Sequence, residues 1–137
     1  MKPSDIPAPL ESAEQAAFIK WCRLSEKKYP GLDLIHCSLN GVRLTKGQAG
    51  KAKAAGMLAG IPDLFLPVVR QIPDSQLSNL SQGYIYHGLF IEMKRLKGSK
   101  MLESQKVIIP KLRKRNYKVV VAKGCDEAIQ AIKDYYA

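Results

Sequence analysis

The sequence predicts an α/β sandwich, a mixed β-sheet flanked by helices. Two observations carry that reading. Helix-like and strand-like segments follow one another in the order α-β-(α)-β-β-α-β-α, with Pro, Gly and Asn turn signals between them. The third and fourth strands are joined through a helix, which makes them a parallel pair and the sheet mixed. A length of 137 residues suits one domain whose core needs neither metal nor disulfide staples. Residues 1–137 are therefore expected to form a single domain, with 1–10 a flexible lead.

Each element has its own local signal. After the Pro-rich lead, Ser12 can cap a helix that runs to about Tyr29 and is stopped by Pro30-Gly31. Leu32 to Leu39 reads as a strand and Asn40-Gly41 as a turn. Thr45 to Met57, rich in Ala, Gly and Lys, reads as a short, loosely specified helix that exposes Lys51 and Lys53. Gly60-Ile-Pro-Asp63 turns the chain into a second strand, Leu64 to Val69, and Arg70 to Gln82 reads as a surface excursion. A third strand covers about Gly88 to Lys94, with a start near Tyr84 left open. Gly98-Ser99 separates it from a helix at Ser104 to Arg115, which Pro110 would kink or divide. Tyr117 to Ala122 is the fourth strand, and a final helix spans Asp126 to Tyr136.

Composition narrows the functional class. Hydrophobic residues make up 46% and charged residues 25%, a globular balance that argues against disorder. No apolar run approaches the roughly 20 residues of a membrane-spanning helix, and the first ten residues carry no signal-peptide stretch. Cys22, Cys37 and Cys125 are odd in number and lack metal-ligand spacing, so they read as reduced thiols of an intracellular protein. Twenty-two Lys and Arg against twelve Asp and Glu give +10, which points to a polyanionic partner. The excess concentrates between Lys94 and Lys118, where Glu103 is the only acid. Such a run can be only a solvated face. It lacks the Trp and Phe of an interfacial helix, which disfavours a membrane surface.

The candidate chemistry sits on the third strand. Side chains alternate faces along a strand, so Glu92 and Lys94 share one side while Ile91 and Met93 point to the other. A Glu-x-Lys pair alone is weak evidence, because surface strands often carry one. Asp63, at the start of the preceding strand, strengthens it: two adjacent antiparallel strands can bring Asp63 and Glu92 close enough to share a cation. Two carboxylates with water oxygens suit Mg²⁺ or Mn²⁺, hard ions that prefer oxygen. Such an ion polarises a scissile phosphate and helps generate hydroxide. An ammonium beside it, here Lys94, can orient the attacking water or stabilise the negatively charged transition state.

Gly60-Ile-Pro-Asp63, followed about thirty residues later by Ile91-Glu-Met-Lys94, resembles the PD-(D/E)xK nuclease pattern. The flanking text is similar to one branch, the virus-type replication-repair nuclease (VRR-NUC) domain. That similarity runs from Glu14-Gln15 through Tyr29-Pro30, Asn40-Gly41, Gly56, Gly88-Leu-Phe-Ile-Glu-Met-Lys94 and Gln105 to Tyr117. The resemblance implies a restriction-endonuclease-like core, αβββαβ with a C-terminal helix, and a metal-dependent endodeoxyribonuclease. It implies Glu14, Asp63 and Glu92 as metal-site carboxylates, the Met93 carbonyl as a further ligand, Lys94 as the catalytic lysine and Gln105 in support. A shifted register would put Glu11 in place of Glu14. Free-standing members of the family suggest four-way (Holliday) junctions as substrate, a homodimer with two active sites, and a role in DNA repair, in a bacterial or phage-infected cytoplasm. Lys51, Lys53, Arg95, Lys97 and Lys100 are the candidate phosphate-tracking residues.

The remaining residues have blander readings. His36 and His87 lack zinc spacing and read as structural. Cys22 reads as packing. Gly47 to Gly60 lacks the Gly-Lys-Ser/Thr ending of a phosphate-binding loop. Tyr84, Tyr86, Tyr135 and Tyr136 could stack on bases, though core or interface packing is the commoner fate of such residues. Two rival functions remain open: a DNA-binding module without catalysis, and a restriction-type enzyme that reads a defined sequence.

Overall fold

Helix α1 (Glu11–Ser25) has Glu11 and Glu14 in its first turn and Arg23 in its last, the charge order that a helix dipole favours. Its Phe18 and Cys22, one turn apart, are fully buried and define the side that faces the sheet. The computed structural model describes residues 11–38, 44–72 and 85–137. After α1 come a single 3₁₀ turn (Leu32–Leu34), β1 (His36–Cys37), α2 (Lys46–Ala54), β2 (Leu64–Leu66), β3 (Arg70–Gln71), β4 (Ile85–Tyr86), β5 (Leu89–Lys94), α3 (Glu103–Lys114), β6 (Lys118–Lys123) and α4 (Gly124–Tyr136).

The main sheet has the order β1-β2-β5-β6. β1 with β2 and β2 with β5 are antiparallel, and β5 with β6 is parallel, as the helical connection requires. Strand alternation divides the two faces. Leu64, Leu66, Leu89, Ile91 and Met93 enter one core with Phe18 and Cys22 of α1 and Ala128 and Ile132 of α4. The opposite face carries Phe65 stacked on Phe90, ring centroids 4.4 Å apart, with Tyr117 at their edge. Glu92 and Lys94 fall on this second face, and Gln105 of α3 bonds to both. The sheet is thus mixed and helix-flanked. Among the described residues no helix is long and apolar enough to cross a membrane.

The chain end is tied down. The Arg70 guanidinium donates to the carbonyls of Tyr135 and Tyr136, at 3.1 and 2.8 Å, covering the C-terminal end of α4. The Tyr135 and Tyr136 hydroxyls donate to the carbonyls of Val68 and Pro30. Both tyrosines are structural, as is the buried Tyr86.

Several boundaries differ from the sequence reading. The predicted strand over Leu32 to Leu39, whose last residue lies outside the described residues, is as far as Ser38 a 3₁₀ turn followed by two strand residues, because Gly31 enters at φ 90° and the chain must first reverse. α1 starts before Ser12, so Ser12 lies inside it, and ends at Ser25. α3 runs through Pro110 undivided. Arg70–Gln71, predicted to lie in an excursion, pairs with Ile85–Tyr86 as a separate two-stranded sheet. Asn40-Gly41, Tyr84 and the ten-residue lead lie outside the described residues.

Candidate active site

The segment before β2 is built for close approach. Gly60 has φ +92°, and a Cβ there would stand 2.3 Å from the Ser104 carbonyl oxygen, so only glycine lets this turn lie against the start of α3. Pro62 is buried behind it. The Ser38 N–H donates to the Asp63 carbonyl at 2.7 Å and its hydroxyl to that of Pro62 at 3.3 Å, pinning the backbone. Since Leu64 stands opposite Ile91 in antiparallel register, Asp63 falls opposite Glu92 and on its face. Asp63 Oδ2 also accepts the Met93 N–H at 2.8 Å.

Glu92 is 2% exposed and Lys94 7%. Burial pushes the Glu92 carboxyl up to about 8, and the Asp63 charge and a hydrogen bond with Asp63 add to the rise, while Lys94 opposes it. Burial raises Asp63 too, against the Met93 N–H and the Glu92 hydrogen bond, which lower it. With its carboxyl raised to about 8, Glu92 keeps its proton at neutral pH in a hydrogen bond with Asp63, whose charge beside it opposes a second one. Gln105 joins the charges across the face. Its Nε2 donates to Glu92 Oε2 at 2.8 Å, while its Oε1 accepts from Lys94 Nζ at 3.0 Å and from the Leu102 N–H at 2.9 Å. The last bond fixes the amide at the first turn of α3. Lys94 Nζ donates again to the Lys100 carbonyl at 3.1 Å, so the ammonium is held by two acceptors.

These groups line a cleft of about 380 Å³, with Gly60, Ile61, Lys100 and Ser104 on its walls. The helix carboxylate in this cleft is Glu11. Its charge raises both Asp63 and Glu92. Its Oε1 accepts from the Ser99 hydroxyl at 2.8 Å, and Ser99 in turn accepts the Arg95 N–H at 2.9 Å. Glu14, preferred from the sequence, is elsewhere. Its Oε2 accepts the Cys125 N–H at 2.7 Å, at the first turn of α4. The reason is geometric: Glu14 lies nearly a turn further along α1, where Gly124, at φ +86°, brings the N-terminus of α4 against it. Glu14 there satisfies a free helix N–H and meets the positive end of the dipole.

The other sequence candidates separate clearly. Lys100 lines the cleft. Lys97 is exposed, and Arg95 is half-buried in the turn that Ser99 organises. Lys51 and Lys53 are exposed on α2, a helix that buries nothing and is fixed by a reciprocal cap between Thr45 and Gln48. His36 bonds through Nδ1 to the Leu34 carbonyl and packs edge-on against Phe65, and His87 packs against Tyr117. Burial pushes the Cys22 thiol up to about 12, so it is an inert packing group. Sequence reasoning passed over Ser99 as a mere helix breaker. It also missed the Lys100 carbonyl, for which no sequence signal exists, since every residue has one.

Among the described residues no three His, Cys, Asp or Glu side chains converge as a ready cage for a metal. The donors that do meet are oxygens on Asp63 and Glu92, with Glu11 on the same cleft. One or two carboxylates, with room for waters and phosphate oxygens, are what Mg²⁺ takes. The donor set therefore fits a hard dication and lacks the soft ligands of other metals.

Comparison with known proteins places this arrangement. A family model for the VRR-NUC domain matches residues 5–126. The chain is also similar to a solved structure described as a VRR_NUC domain protein. Sequence identity is 32%, the TM-score is 0.71, and the match covers 94% of this chain and 89% of the other. No curated protein matches. With the model spanning most of its length, the chain belongs to the VRR-NUC family of nuclease-type, DNA-acting domains.

Proposed function

We infer that this chain is a divalent-metal-dependent DNA endonuclease that hydrolyses phosphodiester bonds by attack of an activated water. One observation carries the reading: Asp63, Glu92, Lys94, Gln105 and Glu11, from four separate segments, share one cleft. Asp63 and Glu92 would hold the Mg²⁺ or Mn²⁺, with Glu11 in place of Glu14 as the third acid. A bound dication would polarise the phosphate and offset charge on the leaving oxygen. The Met93 carbonyl would be a further donor, on backbone grounds. In an extended strand a residue's N–H and C=O point to the same side, and the Met93 N–H is aimed at Asp63.

The remaining steps belong to the side chains. Lys94, held by Gln105 and the Lys100 carbonyl, presents a fixed positive charge to the scissile phosphate or to the attacking water. Gln105 keeps that ammonium and the Glu92 carboxyl at a set separation. Lys100 at the cleft, together with Lys97, Arg95, Lys51 and Lys53, would supply sequence-independent attraction for the DNA backbone. Four-way junctions are the leading substrate and a homodimer the leading assembly, since cutting two symmetric strands requires two sites.

The test is cleavage of labelled four-way junction, flap and linear duplex with Mg²⁺, Mn²⁺ or EDTA, beside Asp63→Ala, Glu92→Ala and Lys94→Ala. Metal-dependent cutting lost in all three variants is the expected result, with the junction cut fastest. Tight binding with no cutting under either metal would overturn it in favour of a non-catalytic DNA-binding module. Sedimentation of the protein alone reports the dimer.

A further inference from the structure

Glu11 is a half-buried side chain in the first turn of α1, and it shares its cleft with two other acids. Its charge opposes charge on Asp63 and on Glu92, so repulsion alone would turn this long side chain out toward water. One bond opposes that. The Ser99 hydroxyl donates to Glu11 Oε1 at 2.8 Å, and among the described residues no other hydrogen bond reaches this carboxylate. Ser99 is itself held on both sides. Its Oγ accepts the Arg95 N–H at 2.9 Å, closing a turn in which Gly98 takes φ +84°. The next carbonyl along the chain, that of Lys100, accepts from the Lys94 ammonium at 3.1 Å. A serine hydroxyl carries one proton. Since the Arg95 N–H can only donate and an ionised carboxylate can only accept, that proton is committed to Glu11. Oε1 is thereby taken, and Oε2 is left for a cation.

We propose that Ser99 is a positioning residue, which keeps the Glu11 carboxylate turned into the cleft so that Oε2 is aimed at a bound dication. The proposal rests on the metal site of the nuclease reading and adds how its third acid is kept in place. A side chain that only shaped the 95–99 turn would matter equally with or without Glu11. A side chain that works through Glu11 matters only while Glu11 is there.

The test is calorimetric titration with Mn²⁺ of the wild type, Ser99→Ala, Ser99→Thr, Glu11→Ala and the double variant Ser99→Ala with Glu11→Ala. Ser99→Ala should lower Mn²⁺ affinity about ten- to a hundredfold, the usual effect of freeing a ligand from the group that orients it. Ser99→Thr, which keeps the hydroxyl, should restore most of that affinity. In the double variant the affinity should be no lower than in Glu11→Ala alone. Thermal melting in EDTA checks that each variant is folded, and cleavage of a labelled junction is followed in parallel. Wild-type affinity in Ser99→Ala, or an equal loss with and without Glu11, would overturn the positioning role and leave the nuclease reading standing. The expected pattern of affinities with no cutting by the wild type would keep the role of Ser99 and sink the nuclease reading. A wild-type protein that neither binds Mn²⁺ nor cuts would sink both.

Discussion

At the scale of single residues, two carboxylates three positions apart have opposite assignments, and substitution separates them. Glu11→Ala should cut the cleavage rate about a hundredfold or more while barely moving stability, since it removes a charge from the reacting cleft. Glu14→Ala should do the reverse. It strips a cap from α4, costing about 1 kcal/mol, and leaves cleavage near the wild-type rate. Parallel rate and melting measurements decide it, and a Glu14→Ala protein that is stable but inactive would restore the assignment made from sequence. A second prediction concerns the proton on Glu92. The Glu92 carboxyl is raised from its ordinary 4.5 to about 8, so between those values the folded protein binds a proton that the unfolded chain has released. The stability of the metal-free protein from this group therefore falls as pH rises through that window, and the contribution is gone above it. Asp63 shifts in the same direction. Melting in EDTA from about pH 6 to pH 9 should show this decline, and Glu92→Gln should flatten it. An equal slope in both proteins would show that the proton resides elsewhere.

At the scale of elements, the pieces legible in the sequence are those whose signal is local. The alternation in Leu89–Lys94 identified the catalytic-strand candidate and its two faces, and the register of β2 with β5 fulfils the juxtaposition of Asp63 and Glu92. The helix after Gly98-Ser99 carries Gln105 on its buried side. What failed depended on packing. β1 shrank to two residues because Gly31 and the 3₁₀ turn take up the chain before it, a matter of reversing direction under α1. The sequence preferred Glu14 to Glu11; the structure lines the cleft with Glu11 and sets Glu14 against α4, and sequence text cannot show how far α4 climbs against α1. The turn before Asp63 gives the test at this scale. Gly60→Ala would need both a strained left-handed backbone and a shift of the start of α3, so it should destabilise by about 2 kcal/mol or more. Denaturant midpoints measure this. Because that shift drags Gln105, cleavage should fall further than the loss of folded protein explains. A fully active, fully stable Gly60→Ala would refute the close-approach argument.

At the scale of the whole molecule, a net charge of +10 on 137 residues makes DNA affinity strongly salt-dependent. The contributions should be graded by place. Lys51 and Lys53 stand on a helix with no buried face, so reversing both to Glu should weaken binding and lower its salt slope by about one per phosphate contact, without altering stability. Unchanged binding would remove α2 from the interface. The charge balance announced a polyanionic partner from the first reading. It did not tell the basic positions apart: Arg95 sits half-buried in the turn that Ser99 organises, while Lys100 lines the cleft.

The proton between Asp63 and Glu92 has a further meaning for how the protein becomes competent. If the cleft takes a dication as proposed, loading is an exchange in which this proton leaves as the metal arrives. The heat of such an exchange includes the heat with which the surrounding buffer captures the released proton. Calorimetric titration with Mn²⁺ in two buffers of unlike ionisation enthalpy, near neutral pH, should give apparent heats that differ by about one proton's worth. In Glu92→Gln that difference should vanish. On that reading a falling pH would run the exchange backwards, returning the proton and releasing the dication.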